Sequence, residues 1–467
     1  MHKTMVLAAL ITTIAFCESA WWNDILVWTF DGGLVSPGDG YQIYDGLYGG
    51  DFTVYACGVE YRPGNPDGDR IVIRKSIDNG QTWPAQALLY TGEGNVASTP
   101  RIVFCDNGES LLLFVTVAFY NGETFVYCYK YATDGLGFIT YNPVDHSYPG
   151  MGAIRSSTVN PGCGGVYHVL METEGNWIFI SSSTDGVTWS PAQPLAANAV
   201  RVSATGGSGS KVAVAWYDIF QQAVVCATGD QGGIGTPIVV SPAHAAAAPI
   251  PVWENSGTEM LGVVWHTAEN MVVLSLSEDG GSGWSAPVTL SPGSYPFADI
   301  FSGSSRAVFS LLSSSGDVLV GSTQNLSGAG AIAFEPRNEH QASTAHHAIV
   351  RHGGLSSIQG LFYMNHTEEE LWFDNSIFTE GIAEADPSAG PLGLSVRPNP
   401  SSGVVSIAVS PGRGEAQVTV FSLDGRAVWS GSTTGHEVQV GVELPTGVYM
   451  VNAVTGSGSA NTRMLRL

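Results

Sequence analysis

The sequence predicts an all-β chain: a seven-bladed β-propeller, with six blades as the alternative, followed by a small β-sandwich. Three observations carry this reading. Gly numbers 58 of 467 residues and only 13% of the chain is charged, so the composition favours short strands and turns over helices. A short turn-like segment recurs roughly every 50 residues between about residues 21 and 385. Each copy is preceded by two apolar, β-branched runs, such as Val212-Ala213-Val214-Ala215-Trp216-Tyr217 followed by Ala223-Val224-Val225-Cys226.

The first twenty residues read as an export signal. His2 and Lys3 form a basic start and Met5 to Phe16 an apolar run too short to span a bilayer. Cleavage is expected after Ser19 or Ala20. Phe16, bulky before Cys17, argues against lipidation. No transmembrane segment is expected after cleavage.

The repeated segment is complete in Ser76-Ile77-Asp78-Asn79-Gly80-Gln81-Thr82-Trp83 and in Ser277-Glu278-Asp279-Gly280-Gly281-Ser282-Gly283-Trp284. A third copy runs from Ser182 to Trp189 with its Asp shifted by one, and worn copies start at Tyr131, Thr228 and Ser322. Glycine supplies a left-handed turn position, Ser and Asp bond back into the turn, and Trp buries against the sheet. The pattern S-x-D-x-G-x-x-W resembles the Asp-box, or BNR repeat, of sialidases and many unrelated secreted propellers. The resemblance implies the fold; the boxes themselves are expected to be structural.

Two-strand pairs recur near residues 52, 110, 166, 212, 261, 306 and 359, which makes seven blades. The last pair has no outer strand after it. Asp24-Ile25-Leu26-Val27-Trp28-Thr29-Phe30 is expected to supply that strand and close the ring, removing exposed sheet edges.

Residues 21–380 are thus assigned to the propeller, 381–391 to a linker containing Pro387 and Pro391, and 392–467 to a separate β unit. That unit contains Arg397-Pro398-Asn399-Pro400, an Asp424-Gly425-Arg426 turn, Leu444-Pro445-Thr446-Gly447-Val448-Tyr449 and a basic-hydrophobic end at Arg463-Met464-Leu465-Arg466-Leu467. In this order the segments resemble the C-terminal sorting domain of type IX secretion substrates. The resemblance implies recognition by the type IX secretion machinery, export through the periplasm, and an extracellular or outer cell-surface location.

Lys and Arg number 18 against 41 Asp and Glu, a formal charge of −23 that argues against nucleic acid and anionic membranes as partners. Five cysteines follow the signal: Cys57, Cys105, Cys128, Cys163 and Cys226. They show no metal spacing and read as buried thiols, and no cofactor is expected. Asn65-Pro66-Asp67-Gly68-Asp69 reads as a turn rather than a calcium loop, for want of a downstream Glu. His244, His266 and His346-His347 read as core or solvated histidines.

Candidate binding residues are Arg101, Arg155 and Arg201, which fall just inside three consecutive first strands. Arginines around one mouth would hold a carboxylate or sulfate by forked hydrogen bonds; pairing with acids inside the ring is the competing role. The trio is similar to the arginine triad of sialidases, which implies a Tyr–Glu nucleophile pair and an acid–base Asp. Val103 stands where that family's Arg-Ile-Pro entry has Pro, and Tyr363, Glu172, Glu174 and Asp218 are the available chemical groups. Three functions fit: glycan binding, with acidic glycans as the expected ligand; a sialidase-like glycoside hydrolase; or an adhesin or scaffold for a protein partner.

Overall fold

The computed structural model describes 20–21, 24–29, 44–48, most of 53–377 and most of 393–466, with short gaps. Residues 1–19 of the expected signal, the expected linker and Cys163 lie outside the described residues. The chain divides into two compact units. One takes in Trp22–Asn375 and the other most of Ser376–Leu467.

In the larger unit the described residues form seven antiparallel sheets of four or five strands. The first sheet is Tyr44–Tyr48, Val54–Glu60, Arg70–Ser76 and Ala85–Tyr90. The second is Val96–Cys105, Ser110–Ala118, Thr124–Ala132 and Phe138–Pro143, and the third Ile154–Val159, Tyr167–Thr173, Trp177–Ser183 and Gln193–Ala197. The fourth begins Ala199–Gly206, Val212–Asp218 and Ala223–Asp230; the fifth Ile250–Trp253, Leu261–His266 and Met271–Ser277. The sixth begins Ser294–Ile300, Ala307–Leu312 and Val318–Thr323; the seventh Ala342–Ile349, Ile358–Asn365 and Glu370–Ile377. All seven second strands fall where the sequence pairs place them.

The strand expected at Asp24–Phe30 is present beside the last sheet. Ile25–Thr29 pairs antiparallel with Glu370–Ile377, Ile25 opposite Phe373 and Leu26 opposite Trp372. The first strand of each sheet lies against the first strand of the next, and Ala342–Ile349 lies against Tyr44–Tyr48. Second strands are buried on both faces because each is sandwiched by its neighbours; Val212–Asp218 and Leu261–His266 expose none of their residues. The core therefore lies between sheets. Leu112 and Phe114 of the second pack with Val169 and Trp189 of the third, and Ala213 and Cys226 of the fourth with Val263 and Trp265 of the fifth.

The repeated turns work as bolts between sheets. Ser76 Oγ donates to Asp78 Oδ1 (2.7 Å) and accepts from Gly80 N (2.8 Å), while Asp78 accepts from Thr82 N (2.8 Å). Ser277, Asp279, Gly281 and Gly283 repeat this network. In the third copy Ser183, not Ser182, takes the serine role, bonding Asp185 and Gly186, so that turn is one residue shorter. Trp83 reaches the seventh sheet, 5.6 Å from the Phe373 ring, and Trp189 reaches Phe114 of the second at the same separation. Cys57, Cys105, Cys128 and Cys226 are buried.

The smaller unit has two sheets. One orders Gly393–Arg397, Val405–Ser410 and Glu437–Val440; the other Ala427–Thr433, Ala416–Ser422, Gly447–Thr455 and Gly458–Arg466. Val405, Ile407, Val418, Val420, Tyr449 and Met464 share its core. The Tyr449 hydroxyl donates to the Pro445 carbonyl (2.6 Å), which ties the Leu-Pro-Thr-Gly segment to its strand.

Gly80 and Gly64 both sit at positive φ, +86° and +75°, but a methyl on Gly80 would overlap the Phe373 ring whereas Gly64 faces open space. Gly64→Ala should cost about 1 kcal/mol from backbone strain alone, and Gly80→Ala about 2–4 kcal/mol because the bolt is forced off the seventh sheet. Urea denaturation of the two variants checks this; equal costs would show that the turn does not bolt the sheets.

Candidate functional site

Antiparallel alternation sets the second-to-third-strand hairpins at the end where first strands begin: Val96 pairs with Ala118 and Ala199 with Asp218. Five hairpins share one turn, whose last residue is left-handed: Gly122, Asn176, Gln222, Asn270 and Gly316, at φ between +53° and +87°. Small or amide side chains tolerate that conformation best. Gly122, Asn176, Asn270 and Gly316 donate back to the residue three before them at 2.9–3.2 Å. The tip position of these turns is held by Tyr120, Glu174, Phe220, Ala268 and Ser314.

Counted from these turns, the three arginines are staggered. Arg155 is the extra residue of a bulge between the partners of Thr173 and Glu172, next to its hairpin. Arg201 lies opposite Trp216, in a bulge between the Val200 and Ser203 pairs. Arg101 pairs with Phe114, past the bulge of its own strand, about four residues or roughly 15 Å deeper than Arg155. The matched register read from sequence spacing is therefore corrected: bulges of different depth shift each strand by different amounts.

The structure brings Arg155 and Arg201 to one carboxylate and does not bring Arg101 there. Glu172 is 5% exposed. Its Oε2 accepts from Arg201 N (2.7 Å), and its Oε1 lies 3.6 Å from Arg155 Nη1. Arg201 has φ +60°, so Glu172 holds a strained backbone in place. Burial pushes the Glu172 carboxyl above its ordinary value, and the Arg201 and Val202 amides and the two guanidiniums pull it back. The Arg201 guanidinium donates to the Ala245 carbonyl and lies 5.9 Å over the Tyr217 ring. The Arg155 side chain is 51% exposed, and its charged partner among the described residues is Glu172. Arg101 Nη1 donates to the Pro100 carbonyl at 3.1 Å.

Beside this group lies a second pin. His266, on the fifth sheet, accepts at Nδ1 from Tyr295 N (2.9 Å), and Tyr295 is again left-handed at φ +48°. Burial, then the charges of Arg201 and His244, push the His266 imidazole down to about 4, so it is neutral and able to accept. His244 stacks edge-on against Tyr217 at 4.8 Å. Tyr217 and Tyr295 were not singled out from sequence. Their signal was position alone: Tyr217 precedes the hairpin of the fourth sheet and Tyr295 is the second residue of the first strand of the sixth.

The other chemical candidates are committed elsewhere. Tyr363 is fully buried and donates its hydroxyl to Asp24. Asp218 caps its own hairpin, accepting from Phe220 N and Gln221 N at 2.9 and 2.7 Å. Glu174 is exposed on its tip. The side chains of His346 and His347 lie outside the described residues. The 65–69 segment is a turn in which Asp69 accepts from Arg62 N and Ala97 N, both at 2.9 Å. Among the described residues no three His, Cys, Asp or Glu side chains converge as a metal would require.

Residues 395–465 match the family model described as a Secretion system C-terminal sorting domain. Such a tail indicates export to the cell surface or extracellular space. No helix among the described residues is long and apolar enough to cross a membrane. No curated protein matches in sequence. Among solved structures, the BP39L lectin from Burkholderia pseudomallei is 12% identical with a TM-score of 0.54, covering 73% of this chain and 98% of its own. The NanB sialidase from Streptococcus pneumoniae is 12% identical with a TM-score of 0.42, covering 75% of this chain and 70% of its own. The intramolecular trans-sialidase from Ruminococcus gnavus is 14% identical with a TM-score of 0.42, covering 76% and 97%. The lectin likeness concerns the fold, which is propeller-like; the two sialidase scores carry no argument.

The His266 pin gives a pH dependence. Its folded value, about 4, lies below the ordinary 6.5, so the folded state binds fewer protons than the unfolded chain between them. The stabilisation is complete above pH 6.5 and is lost as pH falls towards about 4. Glu172, shifted upwards, contributes with the opposite sign in both proteins, so a comparison of variants cancels it. His266→Gln keeps an acceptor without the charge and should remove on the order of 2 kcal/mol of the acid-induced loss. Thermal melting across this range checks it; parallel profiles for the two proteins would show that His266 does not hold the bulge.

Proposed function

We propose that residues 21–380 form a closed seven-bladed Asp-box propeller that binds acidic glycans at the end where its first strands begin. Residues 1–20 act as the export signal, 381–391 as the linker and 392–467 as the type IX sorting domain. The closed ring of seven is supported by the seven sheets, the contact between the last first strand and Tyr44–Tyr48, and the pairing of Ile25–Thr29 with Glu370–Ile377. The Asp-box assignment is supported by the Ser-Asp-Gly networks.

One observation carries the binding reading: Arg155 presents a half-exposed guanidinium beside a hairpin tip, steadied on one edge by Glu172. A guanidinium offers five N–H donors, and one salt contact leaves a fork for a carboxylate or sulfate. Arg201 supports it from behind. Arg101, deeper in its sheet, lies apart from this pair. The hydrolase reading is less well supported, because a glycosidase needs two working carboxylates or a free Tyr nucleophile. Glu172, Asp218 and Tyr363 are each held in structural hydrogen bonds. The scaffold reading has no observation of its own.

Arg155→Ala should weaken an acidic oligosaccharide by about 2 kcal/mol or more and leave a neutral one unchanged. Calorimetric titration on both ligands checks this, and equal affinities before and after the change would remove the anion site. Deleting 392–467 should leave the propeller folded but held in the periplasm. Fractionation of expressing cells reads this out, and normal surface delivery of the truncated chain would overturn the sorting assignment.

A further inference from the structure

Two aromatic rings on the hairpin tips are unexplained by the fold. Tyr120 is 83% exposed and Phe220 81%. They occupy the same position of the same turn, on the second and fourth sheets. Glu174, Ala268 and Ser314 fill that position in the other three hairpins, so the turn itself needs no ring there. Exposed apolar rings cost solubility, and two at one structural position point to a surface in use.

The sheet between them completes the row. Trp177 follows the tip of the third sheet, is 44% exposed and is braced 6.2 Å from Phe179, which in turn lies 5.1 Å from Tyr148. Arg155 belongs to this same middle sheet. The backbones under the rings are fixed: Phe220 N donates to Asp218 Oδ1 at 2.9 Å and Tyr120 N to Asn95 Oδ1 at 3.3 Å. Ring platforms held this way lose little freedom on binding.

We infer that Tyr120, Trp177 and Phe220 form a platform along which an oligosaccharide lies, its pyranose faces on the rings and an acidic group at Arg155. This rests on the proposed glycan binding at this end of the propeller and specifies the size and path of the ligand. The rings are separate, one per sheet, rather than a continuous apolar patch, which suits successive sugar units better than a protein hot spot. Packed sheets stand about 10 Å apart, a distance that two linked pyranose rings span. Polar groups flank each ring: Asn121 and Glu123 beside Tyr120, Glu174 and Asn176 beside Trp177, Gln221 and Gln222 beside Phe220. They match the hydroxyl edges of sugars. Arg155 supplies the charge complement in an otherwise acidic chain.

The test uses hyaluronan fragments from disaccharide to octasaccharide, titrated into the mature chain. Tyr120→Ser and Phe220→Ala place at each tip a residue that an equivalent tip already carries, and melting curves verify that folding is kept. Each change should weaken the octasaccharide about three- to tenfold and leave the disaccharide unaffected. If the wild-type chain binds the octasaccharide and both variants bind it equally well, the platform is wrong while glycan binding at Arg155 stands. If the wild-type chain binds no fragment of either length, the platform and the glycan reading fall together.

Discussion

A side chain near the end of one sheet holds the amide that opens the first strand of the next. Asp69 takes Ala97 N, Thr124 takes Ile154 N, Glu172 takes Arg201 N and His266 takes Tyr295 N, at 2.6–2.9 Å. These bonds are buried or part-buried, where a lost partner would leave a polar group unsatisfied. At Arg201 and Tyr295 they also stabilise left-handed bulges that side chains seldom adopt. The backbone position of Arg201 follows from the Glu172 bond, and that of Arg155 from the bond that holds its neighbour Ile154. A bulge moved by one residue would turn its arginine to the opposite face of the strand.

The outer edge is secured differently. There the Ser-Asp-Gly turns press a Trp and a bare glycine backbone against the preceding sheet, as Trp83 and Gly80 do on Phe373. The same Phe373 pairs with Ile25 of the N-terminal strand. One residue of the seventh sheet thus meets both the first sheet and the strand that completes its own sheet. Loss of the Ile25–Thr29 strand would therefore expose the edge of the seventh sheet next to the residue on which the turn rests.

Much of this was legible in the sequence because it depends on local chemistry. The repeat period marked the sheets, the apolar pairs marked every second strand, and the unpaired last hairpin pointed to Ile25–Thr29. The site was less legible. Arg101, Arg155 and Arg201 look equivalent by distance to the following strand, yet bulges at Thr99-Pro100, Arg155 and Arg201-Val202 occur at different depths and carry no residue signature. The role of Glu172 depends on its facing the next sheet, a long-range relation that a single strand pattern does not encode. The shift in the third turn, where Ser183 replaces Ser182, was ambiguous for a simpler reason: three serines, Ser181 to Ser183, stand side by side.

The proposed closure depends on the pairing of the N-terminal strand with the seventh sheet, and hydrogen exchange reads that pairing directly. Amides of Ile25–Thr29 that pair with Glu370–Ile377 should exchange as slowly as those of the neighbouring strand Ile358–Asn365, and should open together with them. Exchange of Ile25–Thr29 at the rate of free chain, with the seventh sheet still protected, would contradict it.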